Sequence, residues 1–203
     1  MLDFRLYAIG NRALVPDLTE FVREAARAGL RAFQLREKDL SGKPLFELAK
    51  NIRHAAPNCK LFVNDRADIS IAVEADGIQL PETSWPASRI HQTFPKLLCG
   101  VSVHSQHGAM AAEENGADFI VFGPVFGTPS KLNIGMEARG LGALSKIARS
   151  TKIPVLGIGG MTPDRGRQCR DHGAWGVATM SDLLTAPTIS EQLGAYEEAL
   201  GGL

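Results

Sequence analysis

The chain has 203 residues, of which 44% are hydrophobic and 22% are charged. This length suits one domain with its own hydrophobic core, and the composition is ordinary for a globular protein. Lys plus Arg and Asp plus Glu number 22 each, so the net charge of zero argues against a nucleic-acid binder. No apolar stretch approaches the roughly 18 residues that a membrane helix needs.

The cysteines give no sign of a disulfide framework. Cys59, Cys99 and Cys169 are widely spaced, and none belongs to a CxxC pair. An odd count at such spacing predicts free, buried or half-buried thiols in a reducing compartment. The amino terminus lacks the basic segment and apolar run of a secretory signal, so we expect a cytoplasmic protein.

Short apolar runs alternate with helix-like segments along the chain. Gly29, Gly116 and Gly173 stand where helices should end, and Thr162 followed by Pro163 stands where one should begin. The runs are rich in Val, Ile, Leu and Phe, as strands buried on both faces are. The predicted strands are Arg5–Gly10, Arg31–Arg36, Leu61–Asn64, Gly77–Leu80, Leu97–Val103, Phe119–Gly123, Val155–Gly159 and Gly176–Met180.

This alternation predicts βαβ units and a parallel sheet in an α/β protein. Eight units in 203 residues fit a closed (β/α)8 barrel, a TIM barrel, as one domain over residues 1–203. The alternative is an open doubly wound sheet. In a barrel the residues that follow the strands converge on one face, where active sites lie, so the strand ends predict the functional site.

The last two strand ends predict a phosphate site. Gly159 and Gly160 follow the seventh strand, and their backbone N–H groups can approach an anion closely because glycine has no Cβ. Ser181 follows the eighth strand and can add a hydroxyl donor. Phosphate sites in barrels are often built at this place, and a plain tight turn with a capping serine is the alternative.

Charged side chains at earlier strand ends predict further chemistry. Arg36, Lys38 and Lys131 can hold a second anion, with solvated surface charge as the alternative. Asp65 is the best candidate for a Mg2+ ligand, with a hydrogen-bonded loop carboxylate as the alternative. His104 can serve as an acid, a base or a phosphate ligand, or can be an ordinary loop histidine.

The other histidines and the tryptophans are expected to have structural roles. Packing is the expected role of Trp85 and Trp175. Four histidines fall on predicted helices and are expected at the surface: His54, His91, His107 and His172.

Taken together, the strand-end motifs resemble the thiamine phosphate synthase/TenI family. The resemblance runs over nearly the whole chain, and the order and spacing of its short motifs are specific. The family fold is the same barrel that the periodicity predicts. The stretches that carry the resemblance are Gln34–Lys38, Asn64–Arg66, Asp76–Leu80, Gly100–Ser105, Gly123–Phe126 with Thr128–Lys131, Gly157–Thr162 and Gly176–Ser181.

The resemblance implies a reaction and its ligands. The family's synthase joins hydroxymethylpyrimidine pyrophosphate to thiazole phosphate and releases pyrophosphate with Mg2+. The implied partners are therefore phosphorylated pyrimidine and thiazole molecules, and the oligomeric state, including a homo-oligomer, stays open. The implied catalytic residues are Arg36, Lys38 and Lys131, with Asp65 on the metal. The implied substrate-binding residues are Gln34, Asn64, Ser102, His104, Thr128, Ser130, Gly159, Gly160 and Ser181.

Two positions depart from the family patterns. The synthase pattern has an Asp, the second metal ligand, where this chain has Ser84, and Glu82 is a nearby carboxylate. The TenI branch, which Arg139–Leu141 resembles, consists of thiazole tautomerases whose acid/base His stands where this chain has Pro124.

Several functions therefore stay open. We rank a synthase first because most of the pyrophosphate pocket is retained. A TenI-like tautomerase and a non-catalytic binder of thiazole or thiamine phosphate are the alternatives. An unrelated phosphate-binding barrel, such as a sugar-phosphate isomerase, fits Gln34–Lys38 and Thr128–Lys131 poorly.

Overall fold

The structure is a computed structural model that describes residues 2–127 and 137–203. Eight parallel strands form a closed barrel in which each strand pairs with the next along the chain and the last pairs with the first. The predicted barrel is confirmed, and the open sheet is excluded because Leu6 lies opposite Val177 across the closing pair. The strands are β1 (Leu6–Ile9), β2 (Ala32–Leu35), β3 (Lys60–Asn64), β4 (Gly77–Leu80), β5 (Leu98–Val103), β6 (Phe119–Phe122), β7 (Val155–Ile158) and β8 (Gly176–Thr179).

Helices surround the barrel. A short 3-10 turn at Arg12–Leu14 precedes the first of them. No helix in the described ranges has both the length and the apolar character to cross a membrane. The helices are α1 (Leu18–Arg27), α2 (Gly42–Ala55), α3 (Ala67–Ala72), α4 (Ala87–Thr93), α5 (Gln106–Glu114), α6 (Gly140–Ser150), α7 (Pro163–Asp171), α8 (Ser181–Leu184) and α9 (Ile189–Leu200).

The helix ends follow the signals in the sequence. The Thr162 hydroxyl accepts a backbone hydrogen bond from the first turn of α7, and Pro163 occupies the first helical position. Gly29, Gly116 and Gly173 follow α1, α5 and α7 with positive φ. These local signals therefore set where α7 begins and where α1, α5 and α7 end.

Apolar residues form two layers. The outer layer lies between strands and helices and includes the buried face of α1, on which Leu18, Phe21, Val22 and Ala25 recur at helical spacing. The cysteines are all buried and free, as predicted. Burial raises the pKa of each thiol to about 12, so none is a ready nucleophile at neutral pH.

The inner layer contains an aromatic plug made of Phe4, Tyr7, Phe62 and Phe119. The ring centroids of these residues lie 5.2 to 5.8 Å apart, and most of the pairs meet edge to face. All four side chains are fully buried, so the plug separates the two mouths of the barrel.

Gly100 on β5 makes room for this plug, because a Cβ there would lie 2.7 Å from Cε2 of Phe119. We predict that Gly100→Ala lowers the free energy of unfolding by about 1–3 kcal/mol, since the Phe119 ring and the Gln79 amide, whose Oε1 would lie 2.5 Å from the new Cβ, must both move. Urea denaturation measures the change. Gly142→Ala is the control because nothing lies within 4 Å of a Cβ at that position. Equal stability of the two variants would contradict the packing argument.

The two tryptophans differ in how far their side chains are buried. Trp175 packs against the inner layer, and its Nε1 donates a hydrogen bond to the carbonyl of Phe4 at 2.8 Å. The expectation that Trp85 packs is wrong, because this side chain is 75% exposed. Trp85 lies in the turn between β4 and α4 and belongs to neither apolar layer.

Two of the four histidine predictions are also corrected. His54 and His107 lie exposed on α2 and α5, as expected. His172 caps α7 rather than lying inside it. His91 is half-buried on α4 because its ring faces Asp118, with 3.1 Å between Nε2 and Oδ2.

Candidate active site

A cavity of about 530 Å³ opens at the carboxyl ends of the strands. This volume suits a small-molecule ligand. Apolar side chains from β1, β6 and β7 and polar side chains from the strand ends share its wall. The predicted site residues that line it are Gln34, Arg36, Lys38, Asn64, Asp65, Ser102, His104 and Gly159.

The other predicted site residues lie beside the cavity or outside the described part of the chain. Gly160 and Ser181 are the immediate neighbours of Gly159 and Met180, which both line the wall. Thr128, Ser130 and Lys131 lie outside the described residues.

A larger cavity, of about 700 Å³, lies at the opposite mouth of the barrel. Its wall includes Lys60, Asp118 and Trp175, at or just before the amino ends of β3, β6 and β8. We assign the candidate active site to the smaller cavity because cationic side chains and a carboxylate, the types that bind anions and metals, converge there. The carboxyl face is also where barrel enzymes carry their active sites.

An ion-pair cluster holds the end of β2, and the sequence analysis missed it. The buried Glu37 carboxylate accepts hydrogen bonds from the backbone N–H of Arg12 at 2.7 Å and from Nη1 of its guanidinium at 2.8 Å. Arg12 also pairs with Asp39 and thereby holds the pKa of the Asp39 carboxyl below its usual value. The cluster fixes the loop from which Arg36 and Lys38 reach the cavity.

Two side-chain pairs, each with a buried glutamine and a half-buried partner, come from the ends of β2 to β5. Nε2 of Gln34 donates to Oδ1 of Asn64, and Nε2 of Gln79 donates to Oγ of Ser102, each at 3.0 Å. Since Ser102 accepts this bond, its own proton is available for a ligand. Oε1 of Gln79 is buried and has no partner among the described residues. Gln79 was given no role in the sequence analysis, although it is the next-to-last residue of β4.

His104 has a defined hydrogen-bonding arrangement. Its Nδ1 lies 2.6 Å from the carbonyl oxygen of Gly123. Because a carbonyl only accepts, Nδ1 carries the proton and donates it, which leaves Nε2 of the neutral ring as an acceptor. The backbone N–H of His104 donates to Oε2 of Glu82 at 3.2 Å.

Asp65 and Ser84 are neighbours, as the family resemblance implies. The Ser84 hydroxyl donates to Oδ1 of Asp65 at 3.0 Å. Asp65 adopts a positive φ of 54°, and its N–H donates to the carbonyl of Gln79, which places its carboxylate at the rim of the cavity. The Glu82 carboxylate is turned toward His104 and α5 instead. Glu82 therefore does not fill the position of the missing metal ligand.

This pair fits a magnesium ion. Mg2+ is usually bound through one or two carboxylates together with waters and substrate phosphate oxygens. Asp65 supplies one carboxylate at the cavity rim, and the Ser84 hydroxyl supplies a weaker oxygen donor beside it. The donor set is sufficient, but it has one charge fewer than the synthase pattern.

The turn after β7 requires glycine at both residue 159 and residue 160. Gly159 and Gly160 have φ values of 107° and 59°. A Cβ at Gly159 would lie 2.7 Å from Cβ of Pro124, and one at Gly160 would lie 2.8 Å from the carbonyl oxygen of Gly127. The backbone of this turn therefore packs closely against the loop after β6.

Arg165 stabilises this turn, and the sequence analysis did not identify it either. Its Nη1 donates to the carbonyl oxygen of Gly160 at 2.6 Å, and its guanidinium lies 4.9 Å from the ring centroid of Phe126. It is therefore a cation within the candidate phosphate-binding region. The sequence signal that could have identified Arg165 is an arginine in the first turn of the helix that follows a Gly-Gly pair.

The fold and the site define a (β/α)8-barrel protein with cationic groups, a carboxylate and a glycine turn at its carboxyl face. Comparison with known proteins identifies the family. The sequence profile of the family described as thiamine monophosphate synthase matches residues 6–183, which is most of the chain. The chain therefore belongs to this family, as the strand-end motifs predicted.

Individual relatives agree with the family match. The thiamine-phosphate synthase of Pyrococcus furiosus is 37% identical over 203 residues, and the match covers 97% of each chain. That of Clostridium acetobutylicum is 32% identical over 196 residues, covering 94% of this chain and 92% of its own. The solved structure of a thiamine phosphate pyrophosphorylase from Pyrococcus furiosus superposes with a TM-score of 0.87 at 34% identity, covering 97% of this chain and 95% of that one.

Proposed function

We propose that this chain is a thiamine phosphate synthase, a transferase that joins hydroxymethylpyrimidine pyrophosphate to thiazole phosphate and releases pyrophosphate. The convergence of Arg36, Lys38 and Asp65 on one cavity carries the proposal. Two cations and a metal-binding carboxylate are the groups that a departing pyrophosphate needs. Membership in the thiamine monophosphate synthase family supports the same reaction.

The reaction needs mainly electrostatic stabilisation and orientation. As the bond between the pyrimidine methylene and pyrophosphate breaks, negative charge accumulates on the leaving group and the methylene becomes a delocalised cation. Arg36 offers a bidentate fork and Lys38 a point charge to the phosphate oxygens. The thiazole nitrogen then forms the new bond to the methylene carbon, with both rings held in one cavity.

Mg2+ is the proposed cofactor, held by Asp65 with the Ser84 hydroxyl beside it. When bound, it neutralises charge on the pyrophosphate oxygens and makes pyrophosphate a better leaving group. The positive charges of Arg36 and Lys38 act on the same leaving group, so they share this task.

The remaining site residues receive proposed binding roles. Gln34 and Asn64 would hold the pyrophosphate end, while Ser102 and His104 would border the substrates. Gly159, Gly160 and Ser181 would bind the thiazole phosphate at the ends of β7 and β8. Lys131, Thr128 and Ser130 keep the roles predicted from the sequence.

The proposal also includes two broader predictions. We expect a cytoplasmic location and a single domain over residues 1–203.

A product assay tests the proposal. Purified protein is incubated with the pyrimidine pyrophosphate, the thiazole phosphate and Mg2+, and both products are quantified. We expect equal amounts of thiamine phosphate and pyrophosphate, and a loss of both when Mg2+ is chelated. Binding of thiazole phosphate without product would overturn the synthase and favour a non-catalytic binder.

One observation favours a thiazole tautomerase as a second candidate. The ring of His104 is hydrogen-bonded to the carbonyl of Gly123, the residue before Pro124. The family resemblance places the tautomerase His at the position of Pro124. His104 therefore brings an imidazole to the same corner of the cavity from a different strand, and its Nε2 can accept a proton there.

Two substitutions of His104 separate proton transfer from positioning. His104→Asn keeps a donor toward Gly123, and His104→Gln keeps a polar group near Nε2, but neither side chain transfers a proton at neutral pH. If the chain is a synthase, we expect at least one of the two variants to keep synthase turnover within about tenfold of wild type, because no proton transfer is required of His104. A tautomerase would instead lose about 10²–10⁴-fold of proton exchange in both variants.

A further inference from the structure

A second cluster of ligand side chains lies at the amino-terminal mouth of the barrel. His91 lies on α4, Cys99 is the second residue of β5, and Asp118 immediately precedes β6. One ligand atom from each residue lies within 4.8 Å of the other two. Within residues 2–127 and 137–203, this is the only such group of three His, Cys, Asp or Glu side chains.

Hydrogen bonds orient the carboxylate of this cluster. Oδ2 of Asp118 accepts a bond from the backbone N–H of Cys99 at 2.7 Å and lies 3.1 Å from Nε2 of His91. Two ligands bound at about 2.0–2.1 Å to a tetrahedral ion lie about 3.3 Å apart, close to this separation. The backbone N–H is the kind of outer support that fixes a ligating carboxylate.

The Cys99 thiol completes the set. Its sulfur is buried, and it lies 3.6 Å from the carbonyl oxygen of Leu97, a weak interaction that a metal bond can replace. A tetrahedral site needs the sulfur at about 3.6 Å from the other two ligand atoms. The sulfur now lies at most 4.8 Å from these two atoms, so a side-chain movement of about 1 Å brings it to the tetrahedral distance.

An ion can reach the cluster from solvent. The side chains of His91 and Asp118 are 27% and 34% exposed, and Asp118 lines the 700 Å³ cavity at this mouth. Two cations in the same wall are already engaged, because Lys60 pairs with Asp3 at 3.5 Å and Arg170 donates to backbone carbonyls. The aromatic plug separates this cavity from the candidate active site, so the two sites can be tested independently.

We propose that His91, Cys99 and Asp118 form a binding site for Zn2+, with water as the fourth ligand. Imidazole, thiolate and carboxylate together suit Zn2+, whereas Mg2+ prefers oxygen ligands in octahedral geometry. Nε2 of His91 faces an acceptor carboxylate and therefore carries the ring proton in the free chain. On binding, this proton moves to Nδ1 of the neutral ring, a zinc–sulfur bond replaces the thiol S–H bond, and the thiol proton is released to solvent. The ion links α4 to the starts of β5 and β6, so it stabilises the folded chain by binding that state alone.

Zinc titration of the full chain tests the site. The protein is first dialysed against a chelator, and Zn2+ binding is then followed by calorimetry in excess Mg2+. Co2+ serves as a spectroscopic probe, because a cobalt–thiolate bond gives a charge-transfer absorption band. We expect one equivalent of Zn2+ per chain, a cobalt–thiolate band and a higher melting temperature with zinc. Absence of zinc binding in the wild type would overturn the proposal.

Single substitutions test whether zinc binding and the cobalt–thiolate band arise from this cluster. Cys99→Ala should abolish the cobalt–thiolate band, and His91→Asn, at a half-exposed position, should weaken zinc binding at least about tenfold. Cys59→Ala removes another buried free thiol and should change neither signal. Asp65→Asn should keep zinc binding even if synthase activity is lost. A cobalt–thiolate band that persists in Cys99→Ala, or disappears in Cys59→Ala, would refute the assignment.

Discussion

Replacing Arg36 with methionine is expected to lower kcat/KM for the pyrimidine pyrophosphate by about 10²–10³-fold, the usual cost of removing one preorganised charge-stabilising group. Arg36 lines the cavity and follows β2. The neighbouring Glu37 is buried and accepts two hydrogen bonds from Arg12, which hold this segment in place. Methionine keeps much of the apolar stem but removes the bidentate fork. Steady-state rates of pyrophosphate release measure the effect.

The matched control for this variant is Arg89→Met. Arg89 is exposed on α4, and its guanidinium donates a hydrogen bond to the exposed Gln92 at 3.3 Å. The control should retain wild-type turnover, which would show that losing one positive charge is harmless in itself. Equal rates for Arg36→Met and Arg89→Met would remove Arg36 from the proposed pyrophosphate site.

The barrel was predictable because its strands are buried on both faces and separated by clear helix signals. Strand β6 was expected at Phe119–Gly123 and is observed at Phe119–Phe122, so only an end residue differs. The rule that strand ends converge then located Arg36, Asp65 and His104 on one cavity without any knowledge of distances. Fold and site location thus follow from local patterns together with topology.

The supporting contacts were not predictable in the same way. Glu37 and Arg12 lie 25 residues apart, and their pairing depends on how two separate loops meet above the barrel. His91 was placed at the surface because helical periodicity does not reveal that its ring meets Asp118, 27 residues later. Such pairs need three-dimensional contacts, which a single sequence does not supply.

Ser84 shows how motif and structure complement each other. The motif indicates that a carboxylate is missing at this position, but it cannot show where the side chain points. The structure places the Ser84 hydroxyl 3.0 Å from Oδ1 of Asp65 and turns Glu82 away toward His104. The departure from the synthase pattern is therefore local, and a single substitution should reverse it.

We predict that Ser84→Asp lowers the Mg2+ concentration for half-maximal synthase activity about tenfold, a gain of about 1.4 kcal/mol in metal binding. The new carboxylate would stand beside that of Asp65, giving the two-carboxylate arrangement that Mg2+ commonly uses. Without Mg2+, two like charges so close together repel, so the variant should be less stable to urea than wild type. Adding Mg2+ should restore that stability, because the ion binds only the folded site.

Two further variants decide whether the new charge acts through Asp65. Ser84→Asn has the size of the aspartate variant without its charge and should leave the Mg2+ dependence close to that of wild type. In an Asp65→Asn background, Ser84→Asp should lose most of its advantage, since neighbouring ligands of one ion are coupled and their effects are not additive. If Ser84→Asp and Ser84→Asn show the same Mg2+ dependence, charge at this position does not govern metal binding, and the proposed pairing of residues 65 and 84 at the metal is wrong.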